Sequence, residues 1–182
     1  MEGFYSQKDG FMYTLAPDEK VTAVMIYTHN SLVRGELVTK ESARVSIWPR
    51  MQAQVHYIHV HKAQVLMFGG PLTKSLAYDE QYLPISQIMG FHLVPPATEP
   101  LDYDPSEPNR AMHDVQLALG NFSAKGKVRI STHADLATSI EVAHAGWLSV
   151  YDAEITTLFV PQFPEFHAPL MLVNPMSVSF AV

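Results

Sequence analysis

Two stretches of the chain decide its organisation: VMIYTHNSLVRGELVTKESARVSIW, residues 24–48, and VQLALGNFSAKGKVRISTHADLATSI, residues 115–140. At an offset of 91 they share four identical positions, which are Val24 with Val115, Asn30 with Asn121, Gly35 with Gly126 and Ala43 with Ala134. One residue is then dropped, and YIHVHKAQV at 57–65 aligns with WLSVYDAEI at 147–155. Recurrence at a fixed spacing is typical of a repeated structural unit. The sequence therefore predicts an internal duplication.

Apolar and polar residues alternate through both copies, as expected of strands with one buried face. Gly35 and Gly126 fall inside predicted strands, where a glycine indicates a bulge, a bend or close backbone approach. A short helix or irregular strand is expected over 41–49, and a helical turn capped by Ser131 or Thr132 is expected in the second copy. Further strands are predicted over 55–68, 147–160 and 85–94 and at the C-terminus, with a polar connection over 72–83.

These patterns predict an all-β fold with minor helix. It is expected to consist of two tandem duplicated units, barrel-like or half-open sheets, related by pseudo-two-fold symmetry. The segment from Pro95 to Ala111 contains five prolines and four acidic residues, which excludes a helix or a central strand there. The predicted divisions are an N-terminal arm at 1–20, a first β unit at 21–94, a linker at 95–112 and a second β unit at 113–182.

Composition narrows the classes of function. The chain has 182 residues, 47% of them hydrophobic, and a formal net charge of -6, so that it repels phosphate backbones. Nucleic-acid binding is disfavoured and would need a local basic face around Arg34, Lys40, Arg44 and Arg50. The absence of cysteine excludes disulfides and thiolate chemistry. No apolar run is long enough for a membrane span and no signal-like N-terminus is present, so a cytoplasmic location is expected.

A pair of histidines is the most specific candidate for chemistry. His59 and His61 point to the same side of a predicted strand, about 7 Å apart, a spacing that allows both to bind one metal ion. The second copy has Ser149 and Tyr151 at these positions, so the pair is not part of the repeated framework. The alternative interpretation is that these are exposed or interface histidines on a strand.

No catalytic residues are predicted. Phosphate-binding glycine loops, nucleophile elbows and paired zinc-ligand motifs on a helix are absent from the sequence. Asp79, Glu80 and Glu165 have no partner at a spacing diagnostic of acid–base work. An enzyme is therefore not expected.

Each half resembles an Sm-like or SH3-like small barrel and also resembles bacterial barrel domains of unknown function. The resemblance rests on apolar alternation, then Arg34-Gly35 or Lys125-Gly126, then the segments 60–65 and 150–155, and a closing strand. It implies strongly bent strands that allow a short sheet to close in each half. Sm-like proteins bind RNA through two loops, and neither copy keeps the features of both, so RNA binding is not implied.

The sequence thus predicts a non-enzymatic interaction or assembly module, with a protein partner or self-association and no cofactor. The alternative is a protein that binds a divalent transition metal or small ligand through His59 and His61 in a cleft between the units.

Overall fold

Ten antiparallel strands account for most of the residues that the computed structural model describes, which are 13–47, 50, 56–69, 73–143, 146–157, 160 and 163–181. The strands of the first half are β1 (Glu19–Thr28), β2 (Ser31–Lys40), β3 (Tyr57–Met67), β4 (Lys74–Pro84) and β5 (Ile88–Leu93). Those of the second half are β6 (Arg110–Leu119), β7 (Phe122–Ser131), β8 (Leu148–Thr157), β9 (Phe166–Val173) and β10 (Ser179–Ala181). The all-β prediction is confirmed.

The strands form one open sheet in the order β10-β6-β7-β8-β9-β5-β1-β2-β3-β4. Each half therefore has the same internal order, with its fifth strand beside its first and its fourth strand at the far end. The halves meet where β5 pairs with β9, through Gly90 with Val173, Phe91 with Leu172 and His92 with Met171. A two-fold axis would bring equivalent strands together. This joint instead pairs a fifth strand with a fourth strand, so the halves follow one another head-to-tail.

The two repeated glycines sit at the same kind of irregularity. The pairing of β2 with β3 shifts register around Gly35, and the pairing of β7 with β8 shifts register around Gly126. A Cβ on either glycine would lie 2.9 Å from a backbone oxygen, that of His61 or Tyr151. The predicted close backbone approach is confirmed at both positions, because only a residue without a Cβ fits there.

The residue next to each contact has a left-handed backbone, with φ of 48° at Lys62 and 51° at Asp152. The sequence predicts a bend or tight turn at these places. They are bulge positions inside continuous strands, and the bulge is what lets a long strand bend without ending.

Buried side chains form two apolar clusters. One contains Met25, Tyr27, Leu32, Phe68 and Met89 from the first half together with thirteen residues of the second half. The other lies in the first half but includes Leu172 from β9. Apolar burial is thus continuous across the β5·β9 joint, and the two predicted units share a core.

Helical structure is minor. Of the elements that lie wholly within the described residues, a 3-10 helix covers Val45–Ile47, another covers Ile85–Gln87, and an α-helix, α1, covers Leu136–Ala143. The predicted cap residues of α1 were Ser131 and Thr132, but the side chain that caps it is Asp135, whose Oδ1 accepts a hydrogen bond from the Thr138 backbone N–H at 2.7 Å. No helix in the described ranges is long and apolar enough to cross a membrane.

The prediction of a polar connection over 72–83 is wrong, because β4 occupies most of it. This strand is exposed on both faces from Lys74 to Glu80, so its composition is that of a loop. Most of the predicted N-terminal arm, residues 1–12, lies outside the described residues, and its last two residues begin β1.

Candidate functional site

The outer end of the sheet, β3 and β4, combines an unpaired strand edge with a cluster of potential metal ligands. Among the described strands, β4 has a neighbour on one side only, β3. Its exposed apolar side chains are Leu76, Tyr78 and Tyr82, which are 40%, 46% and 59% accessible. Long exposed edges of this kind offer free backbone groups to another strand.

Three side chains converge on the face of this β3–β4 hairpin. His59 and His61 lie on β3, and the β4 residue paired with His61 is Glu80. The Glu80 carboxylate approaches both rings, with Oε2 at 3.4 Å from His59 Nε2 and Oε1 at 3.9 Å from His61 Nδ1. One ligand atom from each of the three residues lies within 4.8 Å of the others. We call these three residues the histidine–glutamate cluster.

Aromatic rings flank the cluster on both sides. Tyr82 stacks on His59 with 4.3 Å between ring centroids and 11° between ring planes. Tyr13 lies against the ring of His61 at 4.9 Å, and the two histidine rings are 4.1 Å apart. These contacts restrict the orientation of both imidazoles. Burial, together with the neighbouring His59, lowers the pKa of His61 and outweighs the opposite effect of Glu80, which favours the neutral ring at pH 7.

The predicted histidine pair is thus brought together, but its surroundings differ from the expected cleft between the units. β1 and β2 separate β3 from the β5·β9 joint, so the cluster lies at the far end of the sheet. Glu80, which has no partner at a diagnostic spacing in the sequence, is its third member. The signal that could have found it is the hairpin register, since cross-strand partners of alternating residues share a face.

The proline-rich linker contacts both halves through two largely buried carboxylates, which no sequence pattern indicated. Asp102 of the linker accepts hydrogen bonds from two residues of the second half, Ser149 Oγ and Tyr151 Oη, each at 2.7 Å. It also accepts one from Arg50 Nη1 of the first half at 2.6 Å. Its side chain is only 7% exposed. Burial alone raises the pKa of Asp102, but these hydrogen bonds and the Arg50 charge outweigh burial and lower it.

In the first half, the linker is held by Glu99. Its carboxylate accepts hydrogen bonds from the Val45 and Ser46 backbone N–H groups, both at 2.9 Å, and from Ser46 Oγ at 2.6 Å. The pKa of Glu99 is lowered in the same way, because these donors outweigh burial. The predicted linker is therefore packed against both halves rather than serving only as a spacer.

Replacing Asp102 with asparagine is expected to lower the free energy of unfolding by about 1–3 kcal/mol, because Arg50 loses its counter-charge and one buried donor loses its acceptor. Since the folded pKa of Asp102 is lowered, its stabilisation is present above the unfolded pKa and lost as pH falls through the folded one. Urea denaturation at pH 7 measures the difference. The exposed Asp114→Asn is the control, expected to change stability by less than about 0.5 kcal/mol. Equal effects of the two variants would contradict the role of Asp102.

Two residues of the basic face that nucleic-acid binding would require are already paired. Lys40 contacts Asp18 at 2.9 Å, and Arg50 contacts Asp102 at 2.6 Å. Their charges are therefore largely neutralised within the chain.

A buried histidine lies at the joint between the halves. His92 on β5 is 2% exposed; its Nδ1–H donates to the Leu93 carbonyl at 2.7 Å, so the Tyr27 hydroxyl donates to Nε2 at 3.0 Å. Burial lowers the pKa of His92 to about 4, although the hydrogen bond to Leu93 opposes this. The imidazole is therefore neutral at pH 7; its hydrogen bond with Tyr27 links β5 to β1, whereas the one to Leu93 stays within β5.

Comparison with known proteins adds no relative: no family model, curated protein or solved structure matches the chain.

Proposed function

We propose that the protein is a self-assembly module whose copies join head-to-tail by pairing β4 of one chain with β10 of the next. The observation that carries the proposal is the β5·β9 joint, which pairs the fifth strand of one half with the fourth strand of the other. The fourth strand of the first half and the fifth strand of the second are the two ends of the sheet. A contact between chains would repeat the contact within the chain.

The register within each half specifies the expected pairing. β4 occupies the same place beside β3 that β9 occupies beside β8, and equivalent residues of β4 and β9 are 90 positions apart. β5 and β10 correspond through β1 and β6, which places Phe91 over Phe180 at an offset of 89. Carried onto the free edges, the joint predicts pairing of Ser179 with Leu83, Phe180 with Tyr82 and Ala181 with Gln81.

Burial supports the same pairing. All six residues of β5, which has neighbours on both sides, are buried, whereas the corresponding β10 is largely exposed. Tyr82 of β4 is exposed, whereas its counterpart in β9, Leu172, is buried at the joint. Because the two edges differ, their association is heterologous, and it closes into a ring or continues as a filament according to the rotation between chains.

Cysteine cross-linking tests the register, since the chain contains no cysteine of its own. Gln81→Cys and Ala181→Cys are made as separate variants, mixed at equal concentration and oxidised with diamide. We expect a disulfide-linked dimer that contains one chain of each variant, because paired β residues bring two sulfurs within bonding reach. Light scattering of the wild-type protein is expected to give a mass of several chains.

The two variants oxidised separately provide the control and should remain largely monomeric on a denaturing gel. Lys74→Cys, at the other end of β4, replaces Gln81→Cys as the matched negative control. A dimer of Gln81→Cys with itself would indicate a two-fold β4·β4 contact and overturn the head-to-tail proposal. A single-chain mass at high protein concentration, with no cross-link in the mixture, would overturn self-assembly altogether.

A further inference from the structure

We propose that the histidine–glutamate cluster is a binding site for a divalent late transition metal, with Zn²⁺ as the best-fitting ion. His59, His61 and Glu80 supply two imidazole nitrogens and one carboxylate oxygen. This donor set occurs in zinc sites that retain an open fourth position. The proposal is independent of self-assembly, because none of the three ligands is among the residues 81–83 assigned to the contact between chains.

The distances fit a metal of this size after small side-chain rotations. Ligands about 2.0–2.1 Å from a tetrahedral Zn²⁺ lie about 3.3 Å from one another. The His59 Nε2 to Glu80 Oε2 distance is 3.4 Å and the His61 Nδ1 to Glu80 Oε1 distance is 3.9 Å. The backbone does not have to move, because antiparallel pairing already places Glu80 opposite His61 and diagonal to His59 on the same face, two residue pairs along.

An unsatisfied nitrogen points to a ligand at the same place. His59 Nε2 is shielded from solvent and has no hydrogen-bond partner among the described residues, although the Glu80 carboxylate is close. A buried polar atom without a partner is destabilising, so such atoms are rare unless something else binds them. Metal coordination through the lone pair of Nε2 would remove this cost.

The donor chemistry selects the class of metal. Imidazole nitrogen favours Zn²⁺, Co²⁺, Ni²⁺ and Cu²⁺, whereas Mg²⁺ and Ca²⁺ prefer sites made of oxygen ligands alone. The cluster carries a single carboxylate, so binding leaves a net positive charge that solvent must screen. Glu80 is 39% exposed, which provides that access and leaves room for water as a fourth ligand.

Titration of tag-free, chelator-treated protein with Zn²⁺ in a calorimeter tests the proposal, and Co²⁺ serves as a spectroscopic probe. We expect one Zn²⁺ per chain and a visible Co²⁺ absorption typical of four-coordinate geometry. His61→Asn and Glu80→Gln should each weaken Zn²⁺ binding by at least about tenfold, since even the loss of groups that merely support ligands costs that much.

The matched control is His167→Asn. His167 lies on β9 opposite Glu154, so it forms an exposed histidine–carboxylate pair without a second histidine beside it. This variant should bind Zn²⁺ like the wild type. Thermal melts in chelator verify that all variants fold. If His61→Asn does not fold, Zn²⁺ binding by Glu80→Gln, which changes an exposed residue, tests the proposal alone. Binding that is substoichiometric, or unchanged in a folded Glu80→Gln, would overturn the proposal.

Discussion

Gly35→Ala is expected to lower the free energy of unfolding by about 2–3 kcal/mol, among the largest single-residue effects in this chain. The added methyl group would overlap the Val60 side chain and lie 2.9 Å from the His61 carbonyl oxygen. A side chain can rotate away, but a backbone oxygen in a paired strand moves only with the strand. Relief would therefore separate β2 from β3 at the bulge. Chemical denaturation of the two proteins measures the difference.

Two other glycines make this prediction specific. Gly126→Ala should give a similar loss, because its Cβ would meet the Tyr151 backbone oxygen and the Val150 side chain in the equivalent place. A Cβ on Gly69 would have nothing within 4 Å, so Gly69→Ala should be neutral or slightly stabilising through the unfolded chain. Equal stabilities of Gly35→Ala and Gly69→Ala would show that the close approach carries no energetic weight.

The protein is expected to lose about 2 kcal/mol of stability between pH 7 and pH 5 because of His92 alone. Its folded pKa of about 4 lies below the ordinary value of 6.5. Between these values the unfolded chain binds a proton that the folded chain does not, so acidification favours unfolding. The loss begins as pH falls below 6.5 and is complete near pH 4. Urea denaturation at intervals of half a pH unit would follow it.

His92→Gln is the informative variant, because the amide oxygen can still accept the Tyr27 hydroxyl but does not titrate. It should be less stable than the wild type at pH 7 and should show a clearly smaller slope between pH 6.5 and pH 5. A smaller contribution of the same sign remains from His61, whose pKa is also lowered. The carboxylates Asp102 and Glu99 have lowered pKa values, so the stability that they contribute is lost at lower pH. An unchanged slope in His92→Gln would mean that His92 is not the group responsible.

Alternation and the repeated glycines were sufficient to predict the β class, the positions of most strands and the close contact at Gly35 and Gly126, because these features depend on local pattern. β4 was missed because its pattern carries little signal when both faces are exposed. β9 (Phe166–Val173) was not predicted either. The internal duplication stays a prediction, although both halves share one strand order.

The difference between features set by local sequence pattern and features set by strand pairing also applies to the candidate site. His59 and His61 are two residues apart on one strand, so their proximity follows from strand geometry. Glu80 joins them only through the hairpin register, and Asp102 reaches Tyr151 across 49 positions of sequence. Contacts of that kind depend on where the sheet bends and which strands pair, and neither is readable from residue spacing alone.

The shared core has a consequence for synthesis. β5 is apolar and completely buried, yet β9, which covers one of its edges, begins about 70 residues later, or roughly 4–15 s at ordinary translation rates. During that interval the edge of β5 that pairs with β9, which includes Phe91, has no partner strand. During synthesis, β5 therefore has an unpaired edge that can associate with other strands until β9 is made. Protection of the nascent chain from aggregation matters more for this protein than for one whose halves fold independently.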